Sequence, residues 1–96
     1  MKYLVIDGEL SGTGIRDKYN GGYISPVDIG LNNTITNWIS EWLLRYENAH
    51  YNEFADKIIV DELDKEGKKI AITMKNQFPE IDFEYFSAAR MKSERI

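Results

Sequence analysis

The chain contains no cysteine, which removes disulfides and thiolate chemistry together and leaves packing to stabilise the fold. That absence is compatible with a reducing compartment. Long apolar runs are missing too, since the longest, Tyr3 to Ile6 and Ile58 to Val60, fall far short of the roughly 20 residues a membrane span needs. The N-terminus shows no basic region followed by a long apolar segment, so the expectation is a cytoplasmic protein with no membrane association. A basic excess is likewise lacking: 12 Lys and Arg stand against 16 Asp and Glu, for a formal net charge of -4. That balance and a sequence pI near 4.9 argue against binding a phosphate backbone, which normally requires a clustered basic face. Direct nucleic-acid binding is not expected, and an acidic surface favours either a basic partner or simple solubility.

What is present is an ordinary globular composition, with 43% hydrophobic and 29% charged residues in 96, which predicts one domain over residues 1–96. Tyr3-Leu-Val-Ile-Asp7 is β-branched and aromatic and stops at Gly8, the pattern of a central strand buried on both faces. From Glu9 to Gly30 there is no helical periodicity, and Asn20-Gly21 marks a short hairpin turn. Asn32 or Asn33 caps a helix whose apolar residues Ile35, Trp38, Ile39, Trp42, Leu43, Tyr46 and Ala49 recur every three or four positions. A second helix is expected from about Asp56 to Gln77, on a stripe of Ile59, Val60, Leu63, Ile70 and Met74 that only Gly67 interrupts, and it stops before Pro79. Ile81, Phe83 and Tyr85 then alternate with Asp82, Glu84 and Phe86 as a strand with one apolar face, and the basic tail from Arg90 to Arg95 is expected to fray. Pairing of the first and last strands gives an α+β fold, a small mainly antiparallel sheet with two helices packed on one face.

Five of the seven glycines, Gly8, Gly12, Gly14, Gly21 and Gly22, fall directly after the first strand, interleaved with Glu9, Arg16, Asp17, Lys18, Tyr19 and Tyr23. A loop of this kind holds charged and aromatic side chains on a surface near a strand end. It is not a dinucleotide loop, because Asp17 stands at the final glycine position and no helix opens next, and no lysine-serine or lysine-threonine pair completes a phosphate loop. His50, the single histidine, falls near the end of the first helix, where an imidazole meets C-terminal carbonyls. Asp7 and Glu9 are paired carboxylates, a weak signal for metal binding or acid-base work whose plainer reading is loop polarity. Trp38, Trp42 and Tyr46 share a core-facing helix stripe. The run Asp61-Glu62-Leu63-Asp64-Lys65-Glu66 reads either as a solvated face or as an acidic docking patch that speeds encounter with a basic partner.

The chain resembles the small immunity proteins of bacterial contact-dependent inhibition and related polymorphic-toxin systems. The resemblance rests on the order Tyr3-Leu-Val-Ile-Asp-Gly8, Ser11-Gly-Thr-Gly-Ile-Arg-Asp17, Gly21-Gly-Tyr-Ile-Ser-Pro26, Leu31, the Trp38 and Trp42 helix with Tyr46-Glu47, and Glu84-Tyr-Phe-Ser87. It implies a protein without catalytic residues, metal or cofactor that binds one cognate toxin C-terminal domain, often a nuclease, and blocks its active site or its access to substrate. The expected partner-binding residues are Asp7, Glu9, Arg16, Asp17, Tyr19 and Tyr23 at the glycine-rich mouth, with Asp61, Glu62, Asp64 and Glu66 steering association. Two other classes stay open: a small enzyme or ligand-binding domain gripping an anion with Arg16 beside Asp7, Glu9 and Asp17, and a regulatory or transcription-associated adaptor using its acidic face. Oligomeric state and the identity of the toxin are left open.

Overall fold

A computed structural model describes residues 2–96. Strand β1 (Tyr3–Asp7) lies inside a four-stranded sheet of order β2-β1-β3-β4, where β2 is Ile15–Asp17, β3 is Asp82–Ser87 and β4 is Lys92–Arg95. The two outer pairings are antiparallel, and the central one, Tyr3↔Asp82 through Asp7↔Phe86, is parallel. A parallel neighbour demands a long crossover. Helices α1 (Asn33–Tyr51) and α2 (Lys57–Gln77) provide it and cover one face of the sheet. The result is α+β with a mixed, mostly antiparallel sheet; the parallel central pair was not specified by the strand patterns.

Local chemistry explains the helix limits. The Asn32 side chain accepts from the Ile35 amide at 2.9 Å, and Asp56 accepts from the amides of Ile58 and Ile59 at 3.0 and 3.3 Å, so each helix begins at a side-chain cap. Each then presents one stripe inward: Ile35, Ile39, Trp42, Tyr46 and Ala49 from α1, and Val60, Leu63, Gly67, Ile70, Ala71 and Met74 from α2. From the sheet, Leu4, Ile6, Phe83 and Tyr85 point into the same core, as the period of two requires. The Trp42 and Tyr46 rings meet edge to face at 5.2 Å, and the Trp42 indole donates to the Leu63 carbonyl at 2.9 Å, which ties the helices together. Trp38 sits at the border of this stripe and is only half-buried.

Three expectations change. The basic tail does not fray: residues Lys92–Arg95 pair along β3, and the Ile96 amide donates to the Phe83 carbonyl at 3.0 Å, so backbone hydrogen bonds override a polar sequence. The Asn20-Gly21 turn does close a hairpin, but its return arm is a single bridge, Arg16↔Tyr23, rather than a strand. Within the segment read as free of helix, Pro26–Ile29 form one tight 3-10 turn that ends at Gly30 in the left-handed conformation, φ 70°.

Candidate functional site

The alternate residues of β1, Tyr3, Val5 and Asp7, face away from the helices, and the register sets Arg16 of β2 and Glu84 of β3 on either side of Val5. Asp7 ends the strand, fully buried. Its Oδ2 accepts from Arg16 Nε at 2.8 Å, while Oδ1 accepts from the Tyr23 hydroxyl at 2.9 Å and the Glu9 amide at 3.3 Å. The Tyr23 ring lies against Gly12, where a built Cβ would come within 2.6 Å of Cε1, so glycine there is what lets the ring reach Asp7. Burial first, then the hydrogen bond to Asp7, pushes the Tyr23 hydroxyl well above the ordinary tyrosine range, and it remains a donor. The hydrogen bond to Asp7 likewise raises Arg16 and holds it charged. Chemically, this cluster is an ion pair pinning a loop to a sheet, with both carboxylate oxygens engaged.

Further along the same face, Lys18 Nζ reaches the Glu84 oxygens at 3.0 and 2.9 Å, and the Tyr3 hydroxyl donates to Glu84 at 3.1 Å. Burial pushes the Glu84 carboxyl up, but the hydrogen bonds from Lys18 and Tyr3 outweigh it and leave it below the usual carboxylate range. Lys18 and Arg95 both approach the Tyr3 ring, at 5.7 and 5.6 Å from its centroid. Asp17 accepts from the amides of Tyr19 and Asn20 at 2.8 and 3.3 Å, shaping the turn that holds Tyr19 edge-on to Tyr3 and 69% exposed. Glu9 is half-buried beside this cluster.

The structure therefore brings Asp7, Glu9, Arg16, Asp17, Tyr19 and Tyr23 to one region, and sets Asp61, Glu62, Asp64 and Glu66 apart from them on the helical layer. As a free acidic patch the second group is corrected. Asp64 is buried and accepts from the Tyr85 hydroxyl at 2.6 Å, from Ser87 Oγ at 3.0 Å and from Arg90; Asp61 pairs with the same Arg90. Glu66 pairs with Arg45 and accepts from the Trp38 indole at 3.0 Å, and the Arg45 contact, working against burial, draws its carboxyl below the usual range. Glu62 alone of the four has no ion pair among the described residues; it lines a groove of about 260 Å³ between the helices with Arg45, Ala49, Ile59 and Leu63. Sequence reasoning missed the Asp64, Tyr85, Ser87 and Arg90 network. Its signal was the spacing Val60, Asp64, Gly67, Ala71, which places Asp64 on the inward stripe of α2.

His50 also differs from expectation, since its Nε2 lies 3.1 Å from the Gly8 carbonyl and its ring packs on Phe54 at 4.6 Å. The imidazole thus links the end of α1 to the start of the glycine-rich loop. Among the described residues no three His, Cys, Asp or Glu side chains are placed to hold a metal ion, and no helix is long and apolar enough to cross a membrane. No protein-family model matches the chain, and neither a curated protein nor a solved structure shows significant similarity to it.

Proposed function

We propose that this chain is an immunity protein that neutralises one cognate toxin domain by forming a stoichiometric complex, with its contact surface centred on Tyr19 and Tyr23 at the glycine-rich mouth. The observation that carries this reading is the division of labour at the mouth: the ionic groups hold the fold, while Tyr19, Tyr23 and Leu10 stand exposed by 69%, 38% and 46%. Tyrosines on a braced loop are efficient protein anchors, because they bury a large ring at little cost in side-chain entropy. The same geometry weighs against Asp7 as a general base, because a base needs a free lone pair within reach of a substrate proton. Glu62, unpaired on the other layer, remains a rim charge able to raise the association rate.

Co-expression with the toxic C-terminal domain encoded by the adjoining reading frame tests the proposal. Growth should be restored, and a complex holding the two chains in equal number should survive gel filtration. Rescue by substoichiometric amounts of the protein with no complex would contradict it.

A further inference from the structure

The two edges of the sheet are not alike. Beyond β2, the hairpin return closes the edge: the Ile24 amide donates to the Ile15 carbonyl at 2.9 Å and the Asp17 amide to the Gly22 carbonyl at 2.8 Å. Beyond β4 no described residue gives such cover. The Ile96 amide donates to the Phe83 carbonyl, so Ile96, Glu94 and Lys92 turn their peptide groups toward β3 in the alternating antiparallel pattern. The intervening Ser93 and Arg95 therefore point their N–H and C=O groups outward. All four residues of β4 are exposed, as is Met91 beside them at 74%. An uncovered edge of this kind templates another strand.

We propose that β4 pairs antiparallel with β4 of a second copy of this chain, about a two-fold axis through Ser93. Charge selects both the occupant and the register. On the outward edge, residues with outward peptide groups must face each other, which leaves four self-pairings, centred on Lys92, on Ser93, on Glu94 or on Arg95. Centring on Lys92, Glu94 or Arg95 sets that charge against itself, and like charges directly opposite are destabilising. Centring on Ser93 instead places Lys92 opposite Glu94 of the second copy, and Glu94 opposite Lys92 of the second copy. Both ion pairs lie on the helix side, where Lys68 of α2 already reaches Glu94 at 2.7 Å. The interface is isologous, and it extends four strands to a continuous sheet of eight. The inference is independent of the immunity reading, since it requires only this chain.

Sedimentation equilibrium of the intact chain from micromolar to millimolar concentration provides the test. The expected result is a reversible monomer–dimer equilibrium built on the 11.2 kDa chain. Ser93→Pro removes an outward N–H while sparing the β3–β4 ladder, so it should abolish the dimer with unchanged circular dichroism. Lys92→Glu sets two like-charge pairs across the axis and should weaken the dimer roughly tenfold, and the double variant K92E/E94K should restore it. The charge swap carries the test by itself should the proline variant fail to fold. A monomer at millimolar concentration, or a dimer indifferent to Lys92→Glu, would overturn the proposal.

Discussion

Replacing Gly67 by alanine sets two known effects against each other. In the interior of an exposed helix the change stabilises by about 1 kcal/mol, because glycine gives up more backbone freedom. Gly67, however, is buried at the centre of α2, and a built Cβ would lie 2.7 Å from Tyr85 Cζ, 2.9 Å from Trp42 Cζ2 and closer still to Tyr85 Cε1. Neither ring is free to retreat: the Tyr85 hydroxyl is held by Asp64 at 2.6 Å and the Trp42 indole by the Leu63 carbonyl at 2.9 Å. Overpacking a tight core costs about 1–3 kcal/mol, and contact with two anchored rings puts this site at the upper end. Gly67→Ala should therefore destabilise by about 2 kcal/mol net, lowering the melting temperature by roughly 8–16 °C for a domain of this size. Urea unfolding followed by tryptophan fluorescence measures it. A variant as stable as the parent, or more so, would refute the packing of Tyr85 and Trp42 over α2.

At the mouth, Tyr19→Ala should leave stability within about 0.5 kcal/mol yet weaken the toxin complex by about 1–3 kcal/mol, as read by chemical denaturation and by titration calorimetry. Arg16→Ala should instead lower stability by about 1–3 kcal/mol, because it strands the buried Asp7 carboxylate, and equal denaturation midpoints for the two variants would contradict the division of labour. Asp64→Asn should cost about 1–3 kcal/mol, because it removes the charge that faces Arg90 and sets an amide NH2 where Oδ2 accepts from Ser87 and Arg90, and an unchanged urea midpoint would deny that network a structural role. Glu84 is held below its ordinary range, so its contribution is present above the unfolded value of about 4.3 and is lost as pH falls through the lower folded value. Glu84→Gln should accordingly reduce stability at neutral pH and flatten its decline in acid; parallel acid profiles for parent and variant would rule this out.

Much of the scaffold was legible because its signals are local. The cap at Asn32, the three- and four-residue stripes and the alternation of Ile81, Phe83 and Tyr85 each follow from the geometry of a single element. What stayed hidden was set between elements. The parallel direction of β1 and β3 depends on the crossover, and the ordering of Lys92–Arg95 depends on carbonyls that β3 presents. Asp64 reads as one acid in an acidic run until Tyr85, Ser87 and Arg90 arrive from the far end of the chain. Arg16 reads as a candidate anchor for the same reason: its buried partner Asp7 is nine residues away in sequence but adjacent across the β1–β2 pair. The exposure of Tyr19 was legible because the Asp17 turn that presents it is itself local.

Inhibition by stoichiometric binding through the proposed Tyr19 and Tyr23 surface is read by titrating the purified toxin domain with this protein while following the toxin's activity. Activity should fall linearly to zero with a break at one protein per toxin, and Tyr19→Ala should turn the break into a shallow curve. Inhibition that is complete far below one equivalent, or a titration that Tyr19→Ala and Tyr23→Ala leave unchanged, would contradict it.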